Sequence, residues 1–228
     1  MRKYLSLIAL AVALSIALSA CQPLPKVKEL TCVELLATPL QSYIGQAVAA
    51  DTFAEAVEKA YGVPRQGINI NMHEDGGWFL NWTQNGLGYG VSSENGTTLD
   101  RIGIDYKPGA VTTRRILDCV GSQPEWYRAV YGPHAPTTGI RWAFDLYFPA
   151  QGIVATGTGY DQHRESPPPL SADFPLEHMF IGEPSSLSTL YKQRWGNSLE
   201  EARPALQPVP WPGDWGAVHF IEDHGMGW

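Results

Sequence analysis

Two stretches of this chain carry the same spacing of large apolar side chains, and that spacing restricts the fold more than any other feature. Trp142, Phe144, Leu146 and Phe148 alternate with Arg141, Asp145 and Tyr147; Gln151-Gly152 follows, then Ile153-Val154. Earlier, Trp78, Leu80 and Trp82 alternate with Phe79, Asn81 and Thr83; Asn85-Gly86 follows, then Leu87, Tyr89 and Val91. A period of two is the signature of a strand, and Asn-Gly between two such runs is a tight-turn signal. Each stretch therefore reads as a hairpin. Setting Gly86 against Gly152 places Trp82 on Phe148, Leu80 on Leu146 and Trp78 on Phe144.

The flanking segments repeat as well. Residues 52–61 place Phe53, Val57, Ala60 and Tyr61 on one helical face, with Asp51 or Thr52 as cap, Glu55 completing a capping box and Gly62 as the stop. Residues 112–120 form a second helix, capped by Thr112 or Thr113 and ended by Gly121, with Pro124 beyond. Behind the hairpins, residues 99–104 match residues 176–181 as third strands, and the second copy inserts a polar loop at 159–173. One matched hairpin is weak evidence, but helix, stop, hairpin and strand in the same order twice is a repeat. The remaining segments are a helix over 29–46 interrupted near Pro39, a helix over 186–195 ending at Gly196, an extended Pro/Trp-rich run at 204–215 and a strand over 217–221. The expected fold is α+β: two tandem helix-plus-three-strand modules forming an antiparallel sheet with helices on one face.

The N-terminus carries a separate message. Arg2 and Lys3 precede an apolar run over residues 5–18, too short to span a bilayer comfortably. Leu18-Ser19-Ala20-Cys21 follows. This segment resembles the lipobox of bacterial lipoproteins, which implies cleavage before Cys21, a lipid on its thiol and an extracytoplasmic, membrane-anchored product in the cell membrane or outer membrane. The expected parts are a signal peptide over 1–20, a tether over 21–31, modules over 32–110 and 111–184, and a C-terminal helix and tail over 185–228. Two further cysteines, Cys32 and Cys119, would meet an oxidising compartment after export, where a disulfide persists; two buried free thiols are the other reading.

The repeat, from Pro108-Gly109 and the 112–120 helix through Gly121 and Pro124 to the aromatic hairpin at Gly152-Ile153-Val154, is similar to the module of small outer-membrane assembly lipoproteins of the SmpA/OmlA type. It also resembles the tandem fold of the beta-lactamase inhibitor protein. The resemblance implies helices on one sheet face and a protein partner on the other. The parity opposite the apolar one carries Phe79, Asn81, Arg141, Asp145 and Tyr147, a mixed polar and aromatic set expected to form that recognition face.

The chain has 16 basic and 23 acidic residues, a net charge of -7; without residues 1–20 the balance is 14 to 23, or -9. That excludes the pervasive cationic surface of nucleic-acid binders. No Walker loop, dinucleotide glycine motif or G-x-S-x-G occurs, so no cofactor is expected. Six histidines are scattered; the His219–His224 pair reads as a solvated tail rather than a metal site. The sequence thus describes a membrane-tethered, non-enzymatic binding or scaffolding protein. An envelope hydrolase or metal-dependent enzyme, or capture of a glycan or small ligand by exposed aromatics, is the alternative.

Overall fold

The computed structural model describes residues 30–133 and 139–224. The chain separates into two compact units, residues 1–31 and 32–228. The signal, Cys21 and all but the last two residues of the tether lie outside the described residues.

The second unit opens with two single-turn helices, α1 (Cys32–Leu35) and α2 (Thr38–Gln41). Ala37, in the left-handed region at φ 47°, separates them, and Pro39 sits in the first turn of α2, where a missing N–H costs nothing. Helix α3 (Ala50–Tyr61) ends at Gly62 as expected. It begins earlier than its sequence suggested: Ala49 is the cap position, without a side-chain cap, and Asp51 lies inside the first turn, where a carboxylate suits the helix dipole.

Strands β1 (Asn69–Met72), β2 (Trp78–Gln84), β3 (Leu87–Ser93), β4 (Arg101–Asp105) and the short β5 (Val111–Thr112) follow. Asn85 and Gly86 both take positive φ, 52° and 79°, and close the β2–β3 hairpin. Helix α4 (Thr113–Val120) is capped by the Thr112 hydroxyl, which accepts from the Arg115 N–H, and stops at Gly121. Then come β6 (Trp126–Pro133), β7 (Ile140–Phe148), β8 (Ile153–Asp161), the short β9 (Pro175–Leu176) and β10 (His178–Gly182). Helix α5 (Leu187–Trp195) is capped by Ser186 and ended by Gly196. Short strands β11 (Val209–Pro210) and β12 (Ile221–Glu222) are the last elements among the described residues, so the strand expected over 217–221 is confined to its last position and the residue after it.

Ten strands form one sheet in the order β1-β2-β3-β4-β10-β8-β7-β6-β11, with β12 on β6. Every pairing is antiparallel except β12 with β6. β5 and β9 pair separately. The fold is α+β with a strand-rich, mostly antiparallel sheet.

Directly opposed residues share a face, so the register sorts the side chains. Trp78, Leu80, Trp82, Tyr89, Val91, Ile102, Ile104, Met179, Ile181, Phe144, Leu146 and Phe148 lie on one face and are buried. Helix α3 covers the first half of it: Phe53 packs on Trp78, and Tyr61 on both Trp82 and Tyr89. The C-terminal run covers the second half with aromatics, Trp211 on Tyr127, Trp215 on Phe144 and Phe220 on Tyr131. Its Pro/Trp composition serves as a lid of rings over β6 and β7.

A disulfide joins Cys32 of α1 to Cys119 of α4, with Cα atoms 5.1 Å apart at a sequence separation of 87. It closes the N-terminal end of the unit onto the second helix-and-hairpin.

Helices do not lie on one face only. Leu190 and Tyr191 of α5 pack with Tyr147 and Val154, which point away from α3. That part of the sheet is buried on both sides, and residues 143–148 of β7 are buried without interruption.

Burial leaves a titration signature. The Tyr106 hydroxyl, donating to the Leu35 carbonyl at 3.2 Å, is held far above the ordinary tyrosine range by burial, with Tyr89 and Asp105 adding to it. Tyr147 is raised likewise by burial and then by Asp145, against Arg128. A folded pKa above the unfolded one means stability is complete below about pH 10 and falls as pH rises, because the unfolded tyrosine ionises first. Each such group should steepen the alkaline fall by about 1.4 kcal/mol per pH unit. Urea midpoints followed from pH 8 to pH 11 check this; Tyr106→Phe should flatten the limb, and a midpoint constant across that range would contradict it.

Candidate binding face

The face that carries Tyr147 and Val154 is divided. Toward β6, β7 and β8 it is sealed by α5. Asp145 is the centre of the seal, at 0% exposure, with Arg128 at 3%. The Arg128 Nε donates to Asp145 Oδ2 at 2.7 Å, and the Thr156 hydroxyl donates to Oδ1 at 2.8 Å. The Arg194 Nε of α5 lies 3.8 Å from Oδ1 and donates to Thr156 Oγ1 at 3.1 Å. Trp195 roofs the cluster: the Arg128 guanidinium carbon is 3.7 Å from a ring centroid, that of Arg194 4.3 Å, and the indole N–H donates to the Tyr147 hydroxyl at 3.3 Å.

The expectation that Asp145 and Tyr147 stand on an open recognition face is therefore corrected. Both are wholly buried, because α5 brings a second guanidinium and an indole to the residues that alternation alone assigns to solvent. Arg141 shares their face but sits at the far end of β7. It is half-buried over Tyr160 and lines a recess of about 340 Å³ with Trp142, Thr158 and Gly159. Four strands separate it from Phe79 and Asn81. The five residues are not one site.

Toward β1–β4 and β10 the same face is open. One transverse row reads Asn71, Phe79, Ser92, Arg101, Gly182, and the next reads Asn69, Asn81, Gly90, Gly103, Phe180. The two glycines lie at the centre and shape the surface. A Cβ at Gly90 would meet the Phe79 ring at 3.0 Å, and one at Gly103 would meet the Phe180 ring at 3.6 Å. Both rings lie low over bare backbone, as aromatics do across strand glycines. The result is a shallow apolar platform of two partly exposed rings with a polar margin. On that margin Asn81 Oδ1 accepts from Asn69 at 3.0 Å, and His178 Nδ1 meets Asp105 Oδ1 at 2.7 Å.

Two clefts border the platform. One, about 600 Å³, runs from the edge strand across Asn71, His73, Phe79 and Ser92 to Arg101; the other, about 540 Å³, lies between Arg101, Phe180 and the Lys192–Arg194 turn of α5. Glu94 and Arg101 line both. Phe180 and Arg101 were not singled out in the sequence. The available signal was the repeat register, which sets Phe180 beside Gly103 on the same parity as Phe79.

Among the described residues no three His, Cys, Asp or Glu side chains gather as a metal-binding group, and no helix is long and apolar enough to cross a membrane. The chain matches no protein-family model, no curated protein and no solved structure. The reading of function therefore rests on residues and geometry.

Proposed function

We propose that the protein is a lipid-anchored, extracytoplasmic binding or scaffolding lipoprotein of the cell envelope, and that its folded unit holds a protein partner on the open half of the sheet. The observation that carries the docking claim is the platform of Phe79 on Gly90 and Phe180 on Gly103. Strand glycines cost stability unless something uses the space, and here they lower two aromatic rings into a flat patch with a polar rim. Much of the opposite face is covered by α3 and the C-terminal aromatics, and the β6–β8 part of this one by α5, whereas Phe79 and Phe180 stay partly exposed side by side.

The architecture is read as a duplication. Helix α3 with β2, β3 and β4 corresponds to α4 with β7, β8 and β10, and the two copies meet through their third strands. The strand order β2-β3-β4-β10-β8-β7, which runs outward the same way on both sides of the β4–β10 pair, supports this reading. So does the aromatic parity around Gly86 and Gly152. Strands β6, β11 and β12 extend the second copy, and α5 closes the β6–β8 part of its outer face, whereas the first copy and the adjoining β10 stay open.

The anchoring part of the proposal rests on Arg2, Lys3, the apolar run and Leu18-Ser19-Ala20-Cys21. Mass spectrometry of the mature N-terminus from native membranes should find residues 1–20 absent and Cys21 carrying a lipid mass. A free Cys21 thiol or a retained Met1 would overturn it. For the platform, Phe79→Asp should lower the melting temperature modestly, because the ring is partly exposed, and leave the protein folded at 25 °C, while abolishing co-purification of a stoichiometric partner. Unchanged co-purification would contradict the assignment of this face.

A further inference from the structure

We propose that the cleft between the platform and α5 selects a partner segment with a carboxylate side chain next to an apolar one; this deepens, and rests on, the reading of the platform as a docking face. The chain as a whole is acidic, at -7, yet this cleft gathers Arg101, Lys192 and Arg194 against the single carboxylate of Glu94. Two of the cations are arranged about one ring: the guanidinium carbons of Arg101 and Arg194 lie 5.9 and 5.4 Å from the Phe180 centroid.

The surplus is built in. Behind Arg194, a single carboxylate, Asp145, serves two guanidiniums, Arg128 at 2.7 Å and Arg194 at 3.8 Å. Among the described residues Arg128 Nη2 is buried with no hydrogen-bond partner. The cluster therefore carries one positive charge more than it neutralises. Its outlet is Arg194, 16% exposed and lining the cleft. Arg101 spends one N–H on the Gln193 carbonyl at 2.7 Å, which fixes its guanidinium at the cleft wall beside α5. A half-buried cation held in place is where an incoming carboxylate gains most, since its field is less screened than on open surface.

The shape fits an extended segment. The row Asn71, Phe79, Ser92, Arg101 crosses four strands, roughly 14 Å at the usual strand spacing, enough for about four extended residues. A side chain laid over Phe79 and Phe180 places its neighbours toward Arg101 and Lys192. The occupant is an acidic, apolar-containing peptide segment of a partner protein.

The test is selection of a random nonapeptide display library on the full chain in detergent micelles, followed by synthesis of the enriched peptides. The expected peptides carry Asp or Glu within two positions of Leu or an aromatic. Their binding should weaken about fivefold or more on Glu→Gln in the peptide, and likewise in Arg101→Gln or the exposed Lys192→Glu variant, each folded by its thermal melt. Enrichment of uncharged apolar peptides, bound equally by those variants but lost in Phe79→Asp, would overturn the acidic specificity while leaving the platform standing. Peptides indifferent to Phe79→Asp as well, or no enrichment, would overturn both. Displacement by inorganic phosphate beyond that by chloride at equal ionic strength would make this a phosphate site and also contradict the proposal.

Discussion

Replacing Asp145 with alanine should cost the fold about 3–5 kcal/mol. The carboxylate is wholly buried and is the anion for Arg128 and Arg194, as well as the acceptor for the Thr156 hydroxyl. Removing it leaves a guanidinium at 3% exposure without a counter-charge, and desolvation of that cation is the dominant loss. The double variant Arg128→Met with Asp145→Leu should lose far less than Asp145→Ala alone, because it removes both charges and keeps the volume. The measurement is a urea midpoint at constant slope. A single variant milder than the double would mean that Asp145 is not the counter-ion of this cluster. Because α5 is pinned through Arg194 and Trp195, limited proteolysis should also cut Asp145→Ala near α5 first.

Loss of the disulfide should be of similar size. On the chain-entropy account, closing a loop of 87 residues stabilises by about 4–5 kcal/mol, mainly by restricting the unfolded chain. The double variant Cys32→Ser, Cys119→Ser should therefore melt well below the wild type, and dithiothreitol should bring the wild type down to the same temperature. The reductant should have no further effect on the variant. Equal melting of oxidised wild type and double variant would show that the crosslink contributes nothing, and two free thiols titrated in the unfolded wild type before any reductant is added would show that it does not form.

The hairpins were legible because local rules and burial agree there. Asn85-Gly86 and Gln151-Gly152 set the turns, and Trp78, Leu80, Trp82, Phe144, Leu146 and Phe148 all face the core that their parity assigned. The Cys32–Cys119 disulfide was one of two readings offered by the expected export signal and the cysteine count, and the 5.1 Å Cα separation selects it. The other face of the second hairpin was not legible. Arg141, Asp145 and Tyr147 read as a solvated surface, since a buried ion cluster and a wet polar face spell the same alternation. What distinguishes them is α5, forty residues further on, whose Leu190, Tyr191 and Trp195 required a surface to bury. Strand β6 was missed for the same reason: Arg128 in its middle argues for solvent until Asp145 is known to lie beside it. Apolar residues on the polar parity, Val130, Ala143 and Val154, were the available sign that this half of the sheet is covered twice. Phe79 and Asn81 fell on the open half because nothing follows the first hairpin that plays the part of α5.

The central claim, that the open half of the sheet holds a protein partner, is tested most directly by a photo-activatable amino acid placed at Asn81 in living cells. Asn81 lies at the margin of the Phe79–Phe180 platform, and Glu55, exposed on α3, provides the control position. The account predicts one discrete crosslinked protein from position 81, lost when Phe79 is changed to Asp and absent from position 55. No adduct at position 81, or the same adducts from both positions, would contradict it.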